Sequence, residues 1–157
     1  MGPGDFQGAA AQFTKAIAIF PEAEAYLGRG KALQAAGDNQ GALADFENAI
    51  VLDPTLELAY TSRGTIRHAQ GDIQDALADF TRSIDTHPTA DAYYQRGLAY
   101  QDLNQPQRAV ADYDLAVDRD RGAPYIYRAR AKAKRDLGDS AGARTDQEKA
   151  ERLEKTQ

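Results

Sequence analysis

One feature narrows the folds open to this chain more than any other: a period. Tyr26, Tyr60, Tyr93 and Tyr127 are spaced 34, 33 and 34 residues apart, and four residues after each stands Gly30, Gly64, Gly97 or Ala131. Twelve residues further on come Ala42, Ala76, Ala109 and Ala143. Phe46, Phe80, Tyr113 and Gln147 follow these, and then Ala49, Ser83, Ala116 and Ala150. A period of this length marks a repeated supersecondary unit, which buries its apolar face only by stacking on its neighbours. Small and aromatic positions recur at helical spacing, so the unit is built of helices.

Each unit reads as two helices joined by a short turn. The turns are "AGD" at 36–38, "QGD" at 70–72, "LNQP" at 103–106 and "LGD" at 137–139. Gly, or Asn104 in its place, suits the left-handed residue that ends a helix, and Asp38, Asp72 or Asp139 can cap the next helix's free amides. Pro106 falls at a first helical position, where its missing N–H costs nothing. "LDP" at 52–54 and "THP" at 86–88 close second helices, because a residue before proline avoids helical geometry.

This succession of Tyr, Gly, Ala, aromatic, Ala and Pro resembles the tetratricopeptide repeat family. The resemblance covers nearly the whole chain. It implies an all-α fold, a right-handed superhelical solenoid of about four and a half helical hairpins in a single domain, 1–157. A half repeat at 4–22 would precede repeats at 23–56, 57–89, 90–123 and 124–157. The family's usual Trp is Tyr throughout, and Arg67 and Lys134 replace a usual apolar residue. In the last helix Gln147 and Glu151 stand where aromatic and aliphatic residues stood, giving the polar outer face of a terminal repeat. The half repeat lacks a first helix, which is expected to leave Phe6, Phe13 and Ile17 short of a partner. Truncation of a longer chain or a self-association surface would each account for that.

Within every unit an Arg precedes an Asp by sixteen residues: Arg29 and Asp45, Arg63 and Asp79, Arg96 and Asp112, Arg130 and Asp146. The turn lies midway, so in an antiparallel hairpin both members reach the same height. The expected arrangement is a guanidinium–carboxylate pair tying the two helices. Ordinary solvated charges and a ligand-binding Arg row are the alternatives.

Little else carries chemistry. With no cysteine there is no disulfide, thiol nucleophile or thiolate metal site. His68 and His87 lack a supporting cluster at metal spacing, so no metal is expected. "GRGKAL" at 28–33 neither follows a strand nor completes a phosphate-loop motif. The paired carboxylates are periodic, which points to scaffold over acid–base catalysis. The chain therefore reads as no enzyme, with no cofactor. A net charge of −5 speaks against nucleic acid as a partner. The N-terminus has no leader-like pattern and no window is apolar enough for a membrane span. For the chain as given a cytoplasmic protein is the expectation.

What remains is a binding surface. The resemblance implies that the first helices line a concave groove that receives a peptide or a partner's helix. By position that groove would present Leu27, Lys31 and Gln34; Leu58, Thr61, Thr65 and His68; Tyr94, Leu98 and Gln101; and Tyr125, Arg128, Lys132 and Arg135. The last set is cationic, and its three basic residues share one helical face. Residues 119–135 hold seven basic residues and one acidic, a balance of +6 against −11 for the rest. That asymmetry invites an acidic protein or peptide segment at the last repeat. The carboxylate clamp with which some members of the family hold chaperone tails is not matched, the corresponding places being Leu27, Lys31, Ser62, Asp91 and Gln95. The expected function is non-enzymatic protein binding, with homo-oligomerisation through the first helix as the alternative.

Overall fold

The computed structural model describes residues 5–156. Gly4, which opens the expected half repeat, and Gln157, which closes the last repeat, lie outside the described residues. Among these the chain forms nine α-helices and no strand. They are α1 (Phe6–Ile19), α2 (Ala23–Ala35), α3 (Asn39–Leu52), α4 (Glu57–Gln70), α5 (Ile73–Thr86), α6 (Ala90–Asp102), α7 (Pro106–Arg119), α8 (Pro124–Asp136) and α9 (Ser140–Glu154). Helix α1 occupies the half repeat, and each later repeat holds one pair.

The punctuation has direct physical causes. Gly37, Gly71 and Gly138 take φ of 87°, 89° and 81°, and Asn104 takes 54°, the left-handed geometry that ends α2, α4, α8 and α6. The carboxylates of Asp5, Asp38 and Asp139 accept from the amides of Gly8, Gly41 and Gly142 at 2.8, 2.9 and 2.8 Å, capping α1, α3 and α9. Pro106 is the first residue of α7. Helices α3 and α5 stop just before Asp53-Pro54 and His87-Pro88.

Hairpin packing explains the Gly and aromatic positions together. A Cβ at Gly30, Gly64 or Gly97 would come within 2.6, 2.7 or 2.6 Å of the ring of Phe46, Phe80 or Tyr113. Those rings are fully buried. In the last hairpin Ala131 carries the Cβ, and the facing residue is Gln147, with no ring to collide.

The helices fall into two compact units, one ending at Thr86 and the other beginning at His87, where the sequence alone suggests one domain. In the first unit Leu27, Ala42, Phe46, Ala49, Ala59 and Ile66 form the core, with Tyr26, Leu33, Leu43, Ile50 and Leu56 packed on it. The ring of Phe13 fills the space over Gly28 of α2, so this residue is not short of a partner as expected. Ile17 is half-buried and Phe6 is 43% exposed. The larger exposed apolar groups of α1 are at its end, Ile19 at 72% and Phe20 at 70%. In the second unit Tyr113 and Ile126 are fully buried, as are Ala99, Ala109, Ala116, Ala131 and Ala133. Among the described residues no helix is long and apolar enough to cross a membrane.

Candidate partner-binding face

The charges that recur in every hairpin are consumed internally. Arg29 donates through Nε and Nη2 to the two carboxylate oxygens of Asp45, both at 2.7 Å. Arg63 meets Asp79 at 3.0 and 2.7 Å, Arg96 meets Asp112 at 2.8 and 2.8 Å, and Arg130 meets Asp146 at 2.8 and 2.6 Å. All four carboxylates are buried. Each guanidinium also lies over the Tyr three residues before it, 5.6, 5.8, 5.7 and 5.4 Å from the centroids of Tyr26, Tyr60, Tyr93 and Tyr127. The recurring Tyr is therefore a platform for the recurring Arg, a link the spacing of the Tyr alone does not disclose.

Two of the four pairs are enlarged. Arg67 donates to Asp79 at 2.9 Å, and Lys134 reaches Asp146 at 2.9 Å. These are the two residues that break the family's apolar pattern, and both stand twelve residues before the carboxylate they serve. Burial works against ionisation of Asp146, but hydrogen bonds from Arg130 and Lys134 outweigh it and hold the carboxyl below its ordinary range. Arg130 also donates to Asp114 at 2.8 Å. These carboxylates are buried and held in two-point pairs with their guanidinium partners.

The first-helix positions of the first unit divide between core and surface. Leu27 belongs to the core and is 7% exposed, so it presents nothing to a partner. Thr61 is likewise buried, its hydroxyl 2.7 Å from that of Ser83. Both expectations fail for one reason: on α2 and α4 this position is turned toward the second helices. Lys31 is exposed, Leu58 is 41% exposed, and Gln34 and His68 are half-buried. Thr65 is half-buried with its hydroxyl donating to the carbonyl of Thr61 at 2.9 Å.

In the second unit the same positions form a more distinctive face. Tyr94 on α6 meets Tyr125 on α8 edge to face, ring centroids 4.8 Å apart, and rests at 6.0 Å on Tyr113 below. Tyr125 remains 45% exposed, and Leu98 is half-buried beside this pair on α6. Burial, then the charge of Asp91, pushes both the Tyr94 and the Tyr125 hydroxyls up, so both are neutral donors. Two turns along α6, Gln101 accepts through Oε1 from the hydroxyl of Tyr113 at 2.5 Å.

The cations of 119–135 are not equivalent. Arg130 and Lys134 serve Asp146. Arg128 pairs with Glu154 at the end of α9, at 2.6 Å, which removes it from the cationic face expected of Arg128, Lys132 and Arg135. Arg119 donates to the carbonyl of Pro88 at 2.8 Å and lies 4.7 Å over Tyr93, and Arg121 stands 3.9 Å from Asp118. Lys132 and Arg135 are exposed, and among the described residues neither has an acid within ion-pair reach. Arg135 also borders a depression of about 390 Å³ between α8 and α9, together with Arg144, Gln147 and Glu151. The pairing of Arg128 was not legible because Glu154 lies 26 residues away and belongs to no repeated pattern.

Comparison with known proteins agrees with this architecture. The family model of the tetratricopeptide repeat matches residues 2–57 and 61–124. No curated protein matches the sequence. Among solved structures, a crystal structure of MamA is 27% identical, with a TM-score of 0.86 over 98% of this chain and 91% of that one. The protein pilF of Pseudomonas aeruginosa is 15% identical, with a TM-score of 0.87 over 96% of this chain and 69% of that one. Cut9, solved in the APC/C hetero-tetramer Cut9–Hcn1, is 16% identical, with a TM-score of 0.86 over 97% of this chain and 29% of that one. Tetratricopeptide repeats are protein–protein interaction scaffolds and are generally non-catalytic. With helix pairs at the family's period and a family model matched over most of its length, this chain belongs to the tetratricopeptide repeat family.

Proposed function

We propose that the chain is a scaffold whose α6–α8 face binds an acidic segment of a partner protein. One observation carries this reading. Among the described residues Lys132 and Arg135 are exposed cations without an acid in reach, whereas the other cations of 119–135 are engaged. The neighbouring Tyr94–Tyr125 pair offers apolar, partly exposed ring surface, the residue type that most often anchors an interface. Exposed cations add rate and selectivity for an acidic partner more than affinity, and their contribution is screened by salt.

The test uses a partner cross-linked to α6 or α8 in cells and then purified. Its affinity is measured by titration calorimetry for the wild-type chain and for the double variant Lys132→Glu, Arg135→Glu. Binding should weaken as salt rises and be lost in the double variant, while circular dichroism shows unchanged helix content. Equal affinities of the two proteins would sink the reading.

Self-association through α1 is a second reading, favoured by the exposure of Phe6, Ile19 and Phe20. It predicts a mass in sedimentation that rises with concentration and returns to monomer in Ile19→Glu, Phe20→Glu. A constant monomer mass eliminates it.

A further inference from the structure

We infer that the side of α1 left bare in the half repeat pairs with the same side of α1 in a second copy of the chain, the two helices antiparallel about a two-fold axis near Gln12. This deepens the reading of α1 as a self-association surface and rests on it. The starting observation is a comparison of seams. In α3 the residues that meet the hairpin's first helix, Ala42, Asp45, Phe46 and Ala49, are 0 to 2% exposed. Their equivalents in α1, each thirty-three residues earlier, are Ala9, Gln12, Phe13 and Ala16. Gln12 and Ala16 are exposed, and Ala9 and Phe13 are half-buried. Phe6, Ile19 and Phe20 carry the exposed apolar surface to both ends of the helix.

The residues of that side argue against its ordinary occupant. In each complete hairpin the seam Asp takes an Arg from the first helix in a two-point pair. Gln12 carries no charge, so a first helix of the usual kind would bury its Arg with no carboxylate to meet. The ring of Phe13 lies over Gly28 of α2, whereas that of Phe46 lies over Gly30 of its own first helix.

The same residues fit a copy of themselves. A two-fold interface sets a residue near the axis against its own copy, so a charge there meets a like charge. An Asp at this position, as in every complete hairpin, would repel itself; the Gln12 amide holds both a donor and an acceptor and is complementary to its own copy. From Phe6 to Phe20 the one charged residue is Lys15, which stands two residues after Phe13 and so on the opposite side of the helix. Antiparallel is the sense in which a first helix covers this side in the complete hairpins. With the axis near Gln12, Ala9 comes beside the second copy's Ala16, which lets the backbones approach, and Phe6 comes level with the second copy's Ile19. Two helices of fourteen residues form an interface of the class below ~1,200 Å², which makes weak, reversible complexes.

The experiment follows the mass of the full chain by sedimentation equilibrium from about 1 μM to about 1 mM, the range such an interface calls for. The wild type should rise from monomer toward dimer and go no further, because a two-fold contact closes on itself. Gln12→Asp and Gln12→Lys should each weaken the dimer about tenfold or more at low salt, and an equimolar mixture of the two should recover it. The chain has no cysteine, so direction is read by oxidation with diamide: Ala9→Cys and Ala16→Cys should cross-link to each other in a mixture and neither to itself. Growth past the dimer, a Gln12→Asp variant that associates like the wild type, or self-cross-linking of Ala9→Cys overturns the two-fold inference and leaves the self-association reading standing. A wild-type mass that stays monomeric to the top of the range overturns both.

Discussion

Replacing Asp79 by Ala should be among the most damaging single changes in the first unit. Asp79 is 4% exposed and accepts from Arg63 at 3.0 and 2.7 Å and from Arg67 at 2.9 Å. Removing the carboxylate leaves the guanidinium side chains of Arg63 and Arg67, 15% and 24% exposed, with only the exposed Glu47, 3.9 Å from Arg67, to offset them. Breaking a buried pair from one side costs about 3 to 5 kcal/mol, mostly through the stranded charge. With two cations losing their buried partner at once, Asp79→Ala belongs at the upper end. Asp45 serves Arg29 alone, whose side chain is 23% exposed, so Asp45→Ala belongs at the lower end. The assay is urea unfolding followed by circular dichroism for both variants, with Asp75→Ala, on the exposed first turn of α5, as the surface control. That control should change stability by less than ~0.5 kcal/mol. A thermodynamic cycle then combines Asp79→Ala with Arg63→Ala, and the double variant should lose clearly less than the sum of the singles. Additive losses, or an Asp79→Ala variant no weaker than Asp75→Ala, would refute the account of the pairs as buried ties.

Two further outcomes follow from the same geometry. The carboxyl of Asp146 titrates lower in the folded chain than the unfolded value of about 3.9, so its contribution is complete above that pH and is lost as pH falls through the folded value; urea midpoints measured from neutral pH into that acid range should fall more steeply for the wild type than for Asp146→Asn. Gly64→Ala drives a Cβ to 2.7 Å from the ring of Phe80 and should cost ~1 to 3 kcal/mol in the same unfolding assay, whereas Ala131→Gly, facing Gln147, should cost no more than ~1 kcal/mol of helix propensity.

Features with a local or periodic cause were readable from the amino acids. Gly37, Gly71, Gly138 and Asn104 declare left-handed turns because few other residues tolerate them, and an Arg sixteen residues before an Asp is a distance that a hairpin closes. Features set by which way a helix is rolled were not. Leu27 and Thr61 hold the position of Tyr94 and Arg128, yet Leu27 and Thr61 are buried, Tyr94 is half-buried and Arg128 is exposed. Thr61 could be buried because Ser83 supplies its hydroxyl with a partner, and that pairing has no equivalent in the other repeats. Arg67 and Lys134 looked like defects in an apolar pattern because a family pattern records the usual residue. Their shared distance of twelve from Asp79 and Asp146 was present in the sequence and marks them as second ligands to a buried carboxylate.

That difference bears on where binding can arise in a repeat protein. A group present in every copy, such as the Arg–Asp–Tyr set, is committed to tying its hairpin together, with the carboxylate buried. Binding capacity must then come from residues that lack a counterpart in the other copies or lack a partner in their own. Lys132 has counterparts in Lys31, Thr65 and Leu98, and among the described residues neither it nor its neighbour Arg135 has a carboxylate within ion-pair reach. The copy-specific residues of α6 and α8 therefore keep exposed charge and ring surface that the repeated ties of their own hairpins do not consume.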